Sequence, residues 1–186
     1  MQNKIHCSHS SSLIVLDRDG VINQDTPYFV KSNEEFIFLP GSLEAIRRLT
    51  AAGYPISIAT NQSGIGRGYL NEEILSHIHQ KMLNAIRQHG GNIIDIAYCP
   101  HVPEDCCVCR KPKPGLLMHL AQSSDRLIQN IIFIGDRLSD LKTAEKAGSQ
   151  FILVRSSMTE PEVEKNYPHI LQFDSLLDTV NYLLVK

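Results

Sequence analysis

Short apolar runs ending on polar residues alternate with amphipathic stretches along most of this chain, and that alternation limits the possible folds more than any other feature. "LIVLD" (Leu13 to Asp17), "ISIAT" (Ile56 to Thr60), "IDIAY" (Ile94 to Tyr98), "IIFIG" (Ile131 to Gly135) and "FILV" (Phe151 to Val154) are too short for helices and read as buried strands. Between them lie helical patterns. "SLEAIRRLTAAGY" sets Leu43, Ile46 and Leu49 on one face and offers Gly53 as a stop. The stretch after Asn71, an N-cap followed by acids, repeats Ile74, Ile78, Met82 and Ile86 every fourth residue. His77, His79 and His89 of that helix are expected to be solvated or at its edge. Further helices are predicted from about Pro114 to Ser123, over "SDLKTAEKAG" up to Gly148, and at the end, where Leu176, Leu177, Val180, Leu183 and Leu184 form one apolar face. Strand–helix alternation predicts an α/β fold, a Rossmann-like parallel sheet with helices on both faces and right-handed crossovers.

The 186 residues suit one domain, expected over 13–186 after a polar tail at 1–12. A formal net charge of −2 and no basic block argue against nucleic acid as a partner. No apolar run is long enough to span a bilayer, and "MQNKIHCSHSSS" lacks the apolar stretch of a signal peptide. The expectation is a cytoplasmic monomer. Thiols stay reduced there, so clustered cysteines point to metal before disulfides. Cys7, between His6 and His9, reads as part of the tail.

Parallel α/β sheets bind ligands at the carboxyl ends of their strands. Here those ends carry "DRDG" (Asp17 to Gly20), "TNQSGIGRG" (Thr60 to Gly68), a cysteine segment leading to Arg110 and Lys111, and "GDRLSD" (Gly135 to Asp140). Asp17, Asp19 and Asp136 in one crevice repel each other and need a cation, and hard carboxylate oxygens suit Mg2+. Thr60 and Lys111 are donors for phosphate oxygens. A carboxylate facing a phosphoryl group can attack it and form an aspartyl-phosphate. Asp19 can then supply a proton to the leaving oxygen and later activate water. Asp140 either supports Asp136 or caps the next helix, and Arg67 belongs either to a phosphate-binding loop or to a merely flexible one.

"LDRDGVIN", "TNQSGIGRG", "CRKPKPG" and "IGDRLSDL", in that order, resemble the four motifs of the haloacid dehalogenase-like phosphohydrolases, from Leu13 to about Arg155. In detail they are similar to the branch that removes phosphate from heptose bisphosphates, and to its histidinol-phosphate sister. The resemblance implies Asp17 as nucleophile and Mg2+ ligand. It implies Asp19 as proton donor with its backbone carbonyl on the metal, and Asp136 as the completing ligand. Thr60 and Lys111 would hold the phosphoryl group. Asp25, Thr26, Pro27, Tyr28, Asn61, Gln62, Ser63, Arg110 and Arg137 match positions lining the substrate site. The implied reaction removes the C7 phosphate of heptose 1,7-bisphosphate, for nucleotide-activated heptose and lipopolysaccharide core synthesis. The alternatives are histidinol phosphate as substrate, or a catalytically silent, zinc-stapled binding module. An Arg at position 110 suits a distal phosphate better than a distal amine.

The segment "CPHVPEDCCVCRKP" holds two short metal bites, Cys99-x-His101 and Cys107-x-Cys109. Three thiolates and one imidazole make a closed tetrahedral set for structural Zn2+. Cys106 competes with Cys107, because Cys106-x-x-Cys109 is also zinc spacing. The family pattern, Cys-x-Cys directly before Arg-Lys, supports Cys107. With no room for a large cap, the zinc loop is expected to form a partial wall of an open crevice.

Overall fold

Strand β1 (Leu13–Leu16) is buried along its whole length at the centre of a six-stranded parallel sheet. A computed structural model of the protein describes residues 12–185, so His6, Cys7 and His9 lie outside the described residues. The other strands are β2 (Ile56–Asn61), β3 (Asp95–Cys99), β4 (Ile131–Gly135), β5 (Gln150–Val154) and β6 (Leu171–Phe173), in the order β3-β2-β1-β4-β5-β6. Leu16 pairs with Ile58 on one side and Ile134 on the other, so the sheet reverses its winding at β1. That reversal opens a crevice at the strand ends.

Side-chain alternation along the strands serves two cores. Ile14, Leu16, Ile56, Ile58, Ile132 and Ile134 face α1 (Ser42–Ala51), α2 (Glu72–Gln88) and α6 (Leu176–Leu184). Leu13, Val15, Ala59, Ala97 and Phe133 face α3 (Gly115–Ser123) and α4 (Leu138–Ala147). Each fully buried aliphatic side chain contributes about 1.5–3 kcal/mol. The sheet therefore fixes its strand ends rigidly.

Four details depart from the sequence reading. A short helix, α5 (Pro161–Asn166), and a sixth strand lie in "PEVEKN" and "LQF", both too short and too mixed to show a period. On α2, Leu75 takes the core position while Ile74 is only half-buried. Steps of four residues drift by about 40° around a helix, so the strict fourfold spacing leaves the core face. Strand β3 starts at Asp95, and Ile94 is 49% exposed. His79 is buried, packed edge-on to Tyr98, whereas His77 and His89 are exposed as expected. No helix among the described residues is long and apolar enough to cross a membrane.

Candidate active site

Asp17 directly follows β1, and its N–H still donates to Ile134 O at 2.8 Å. The backbone ladder thus carries it to the mouth of the crevice. Its Oδ1 accepts from the Arg18 N–H at 2.7 Å and lies 2.9 Å from Lys111 Nζ. The buried Lys111 ammonium also pairs with Asp140 at 2.7 Å and donates to Ala59 O at 3.0 Å, which occupies its three hydrogens. Burial alone would lower the Lys111 pKa, but the Asp140 and Asp17 carboxylates raise it, so it stays charged. Asp140 plays both suggested parts. Its Oδ2 accepts from the N–H groups of Arg137 (3.1 Å) and Asp136 (3.3 Å) at the start of α4, and its Oδ1 holds Lys111.

Asp17, Asp136 and Asp140 bring carboxylate oxygens within 4.8 Å of one another, all buried. Burial, reinforced by Asp140 and Asp17, pushes Asp136 up to about 8. Burial likewise pushes Asp17 up to about 7, with Lys111 opposing and Asp140 and Asp19 adding. Asp136 Oδ2 accepts from Ser156 Oγ at 2.6 Å, while its buried Oδ1 has no hydrogen-bond partner among the described residues. An orphaned carboxylate oxygen inside a cluster of hard donors fits Mg2+. Gly20 makes the approach possible: a Cβ there would stand 2.2 Å from Asp136 Oδ2, and its φ of +85° suits glycine.

The Asp19 side chain stays out of this trio. Its Oδ1 accepts from Arg18 Nη2 (2.8 Å), Arg18 Nε (3.3 Å) and Asn23 Nδ2 (2.8 Å), and its Oδ2 from Gln62 Nε2 (2.9 Å). Burial alone would raise its pKa, but Arg18 and these hydrogen bonds hold it below the usual value. Gln62 Nε2 also donates to Thr60 Oγ1 at 2.9 Å, which ties Thr60 to Asp19.

A cavity of about 420 Å³ opens above these groups. Asp17, Asp19, Asp25, Thr26, Pro27, Thr60, Asn61, Gln62, Ser63, Arg110, Lys111 and Arg137 all line it, as does Arg67. Tyr28 does not; it is 75% exposed, and Phe29 takes the place in the wall, its ring 5.3 Å from Tyr69. Arg137 is paired with Asp25, whereas Arg67 and Arg110 have no acidic partner among the described residues; Arg110 Nη1 donates to His101 O at 3.1 Å. Sequence reasoning did not single out Arg18, Phe29, Met158 or Glu160, which also line the cavity. Arg18 stood inside the quoted motif "DRDG"; the others carry no local signal.

Strand pairing delivers the cysteine segment to the same place. Asn61 is in register with Cys99, and Gln62 N donates to Cys99 O at 2.7 Å. Cys99, His101, Cys107 and Cys109 converge, with Sγ–Sγ distances of 3.3–3.6 Å and Sγ–Nδ1 distances of 3.4–3.5 Å. A tetrahedral zinc with thiolates at about 2.3 Å has edges of about 3.8 Å, so the four donors fit Zn2+. Cys106 is exposed, at φ +50°, and is not among the four.

Comparison with known proteins agrees with this geometry. A family model described as "HAD-hyrolase-like" matches residues 108–180. The D-glycero-beta-D-manno-heptose-1,7-bisphosphate 7-phosphatase of Pseudomonas putida is 42% identical over 88% of this chain and 94% of its own length. The enzyme of the same name from Bordetella bronchiseptica is 49% identical over 77% of this chain and 80% of its own. The crystal structure of D,D-heptose 1,7-bisphosphate phosphatase from B. bronchiseptica, complexed with magnesium and phosphate, superposes with a TM-score of 0.89 at 41% identity, covering 94% of this chain and 98% of that one. The chain belongs to the haloacid dehalogenase-like family of D-glycero-D-manno-heptose-1,7-bisphosphate 7-phosphatases.

Proposed function

We propose that this protein is a Mg2+-dependent phosphatase that removes the 7-phosphate of D-glycero-β-D-manno-heptose 1,7-bisphosphate through an aspartyl-phosphate on Asp17. The observation that carries the reading is the joint placement of Asp17, Asp19 and Lys111 beneath a cavity whose wall also holds two cations, Arg67 and Arg110, without acidic partners among the described residues. The β anomer follows the names of the relatives from P. putida and B. bronchiseptica.

Asp17 attacks phosphorus as the bond to the sugar oxygen breaks, and Asp19, ionised at rest and protonated once the substrate's phosphoryl charge lies beside it, gives that oxygen a proton. Asp19 then takes a proton from the water that attacks the aspartyl-phosphate, returning Asp17 to its carboxylate. Thr60 gives its hydroxyl hydrogen to one phosphoryl oxygen, and Lys111, releasing Asp17 as that carboxylate takes up the phosphoryl group, binds another and opposes the charge that develops on it. Asp17, Asp136 and the Asp19 carbonyl would hold Mg2+, which neutralises the buried carboxylates and polarises the phosphoryl group. Arg110 recognises the distal C1 phosphate, with Arg67 beside it. Asp25 and Arg137 form one side wall as an ion pair. Cys99, His101, Cys107 and Cys109 would hold a structural Zn2+, which would stiffen the arm carrying Arg110 and Lys111. We place this activity in one domain over residues 13–186, acting as a cytoplasmic monomer.

Phosphate release tests the reading. Purified protein with Mg2+ is expected to hydrolyse the β-heptose bisphosphate faster than the α anomer, and both far faster than histidinol phosphate. Preference for histidinol phosphate would overturn the substrate, and no Mg2+-dependent turnover of any of the three would favour a catalytically silent module.

A further inference from the structure

Arg18 is the largest fully buried side chain among the described residues, 1% exposed, and it lies between the two aspartates of the motif. Burying a guanidinium is expensive, and apolar replacements of buried ion pairs are often neutral or stabilising. The cost is higher here because Arg18 Nη1 is buried without a hydrogen-bond partner among the described residues. The guanidinium has the Phe36 ring at 6.0 Å, an apolar setting in which a methionine would also fit. The turn does not need the side chain. Its local bonds come from the Arg18 backbone, whose carbonyl accepts from Ile22 N at 2.8 Å and Asn23 N at 3.1 Å, and whose N–H donates to Asp17. Neither the turn nor the apolar packing therefore gives a reason for an arginine at this position.

Its contacts with Asp19 do. Arg18 Nη2 at 2.8 Å and Nε at 3.3 Å converge on Oδ1, and Asn23 Nδ2 adds a bond at 2.8 Å. A carboxylate oxygen has two lone-pair directions, so Oδ1 is fully committed. Oδ2 accepts one bond, from Gln62 Nε2 at 2.9 Å, and keeps one direction open. The carboxylate rotation is thus fixed by a fork on one oxygen, leaving the other to exchange a proton.

We propose that Arg18 is a positioning residue that locks the Asp19 carboxylate in the rotation from which Oδ2 hands its proton to the leaving oxygen. The inference rests on the phosphatase reading. As the phosphorus–oxygen bond breaks and phosphorus bonds to Asp17, a sugar oxygen needs that proton; an acidic phenolate leaves without it. Arg18 acts through Asp19 and touches no reacting atom.

The test compares kcat/KM, which reports the phosphorylation step, for the heptose bisphosphate and for 4-nitrophenyl phosphate. Arg18→Met is expected to lower the bisphosphate value about 100-fold, the scale of a misaligned general acid, and the aryl phosphate value less than about threefold. In an Asp19→Asn background, Arg18→Met is expected to add less than about a twofold loss on the bisphosphate. If Arg18→Met fails to fold, Arg18→Lys serves, keeping the charge without the fork: its loss is smaller but confined in the same way to the bisphosphate. Equal losses on both substrates, or losses that multiply with Asp19→Asn, would overturn the role of Arg18. A wild-type protein that turned over neither substrate would instead sink the phosphatase reading.

Discussion

The Asn61 carboxamide grips the backbone of Lys111 at both ends: Nδ2 donates to the Lys111 carbonyl at 3.1 Å, and Oδ1 accepts from the Lys111 N–H at 3.1 Å. Asn61 closes β2 and Lys111 sits on the arm after the cysteine cluster, so this pair fastens the arm to the sheet. Two hydrogen bonds are worth about 1 kcal/mol each. Asn61→Ala is therefore expected to lose about 2 kcal/mol in denaturant titration. It should also lower kcat/KM about tenfold, because small displacements of a positioned cation cost rate.

His79 sets a stability slope in acid. Burial, with Arg18 adding and Asp19 opposing, lowers its pKa to about 4 from a usual 6.5. The folded state thus refuses a proton that the unfolded state binds, so this group's contribution falls as pH drops from 6.5 towards 4. At pH 4.5 the loss relative to pH 7 is about 2 kcal/mol. His79→Phe should flatten that part of the stability–pH curve in urea titrations; an unchanged slope would count against the buried neutral imidazole.

Gly20 guards the metal site. An alanine Cβ would stand 2.2 Å from Asp136 Oδ2, at a φ of +85° that disfavours any side chain. Asp136 must move, so Gly20→Ala is expected to weaken Mg2+ binding at least about tenfold, the scale of a disturbed ligand position. Calorimetric Mg2+ titration measures it, with melting temperature as a check on folding.

The cysteine cluster distinguishes two neighbours. Elemental analysis is expected to find about one zinc per chain, as a closed four-ligand site requires. Cys107→Ser should lose that zinc and lower the melting temperature, while Cys106→Ser should keep both. Equal effects of the two substitutions would contradict the ligand set Cys99, His101, Cys107 and Cys109.

The sequence exposed the parts whose signal is local. Strands β1, β2 and β4 are short apolar runs, and their last residues place Asp17, Thr60 and Asp136 without knowledge of the packing. Asp140 and Asn61 were harder to interpret, because their jobs lie in bonds to Lys111, at positions far away along the chain. His79 looked solvated because its polar type hides the fact that one face of α2 turns it towards Tyr98. Tyr28 matched a family position, yet it stands exposed while Phe29, at φ +64°, turns into the wall. One backbone angle decides which of two adjacent aromatics meets the cavity, and no residue pattern encodes it.

The central claim is that Asp17 carries the phosphoryl group. In a rapid acid quench during turnover of the heptose bisphosphate, mass spectrometry of the peptide containing Asp17 is expected to show one added phosphoryl group. The adduct should be absent from Asp17→Asn, which should also lose at least about 1,000-fold in rate, as removal of a covalent nucleophile does. Rapid turnover with no phosphorylated peptide at any quench time, or an Asp17→Asn variant that keeps its activity, would contradict the account.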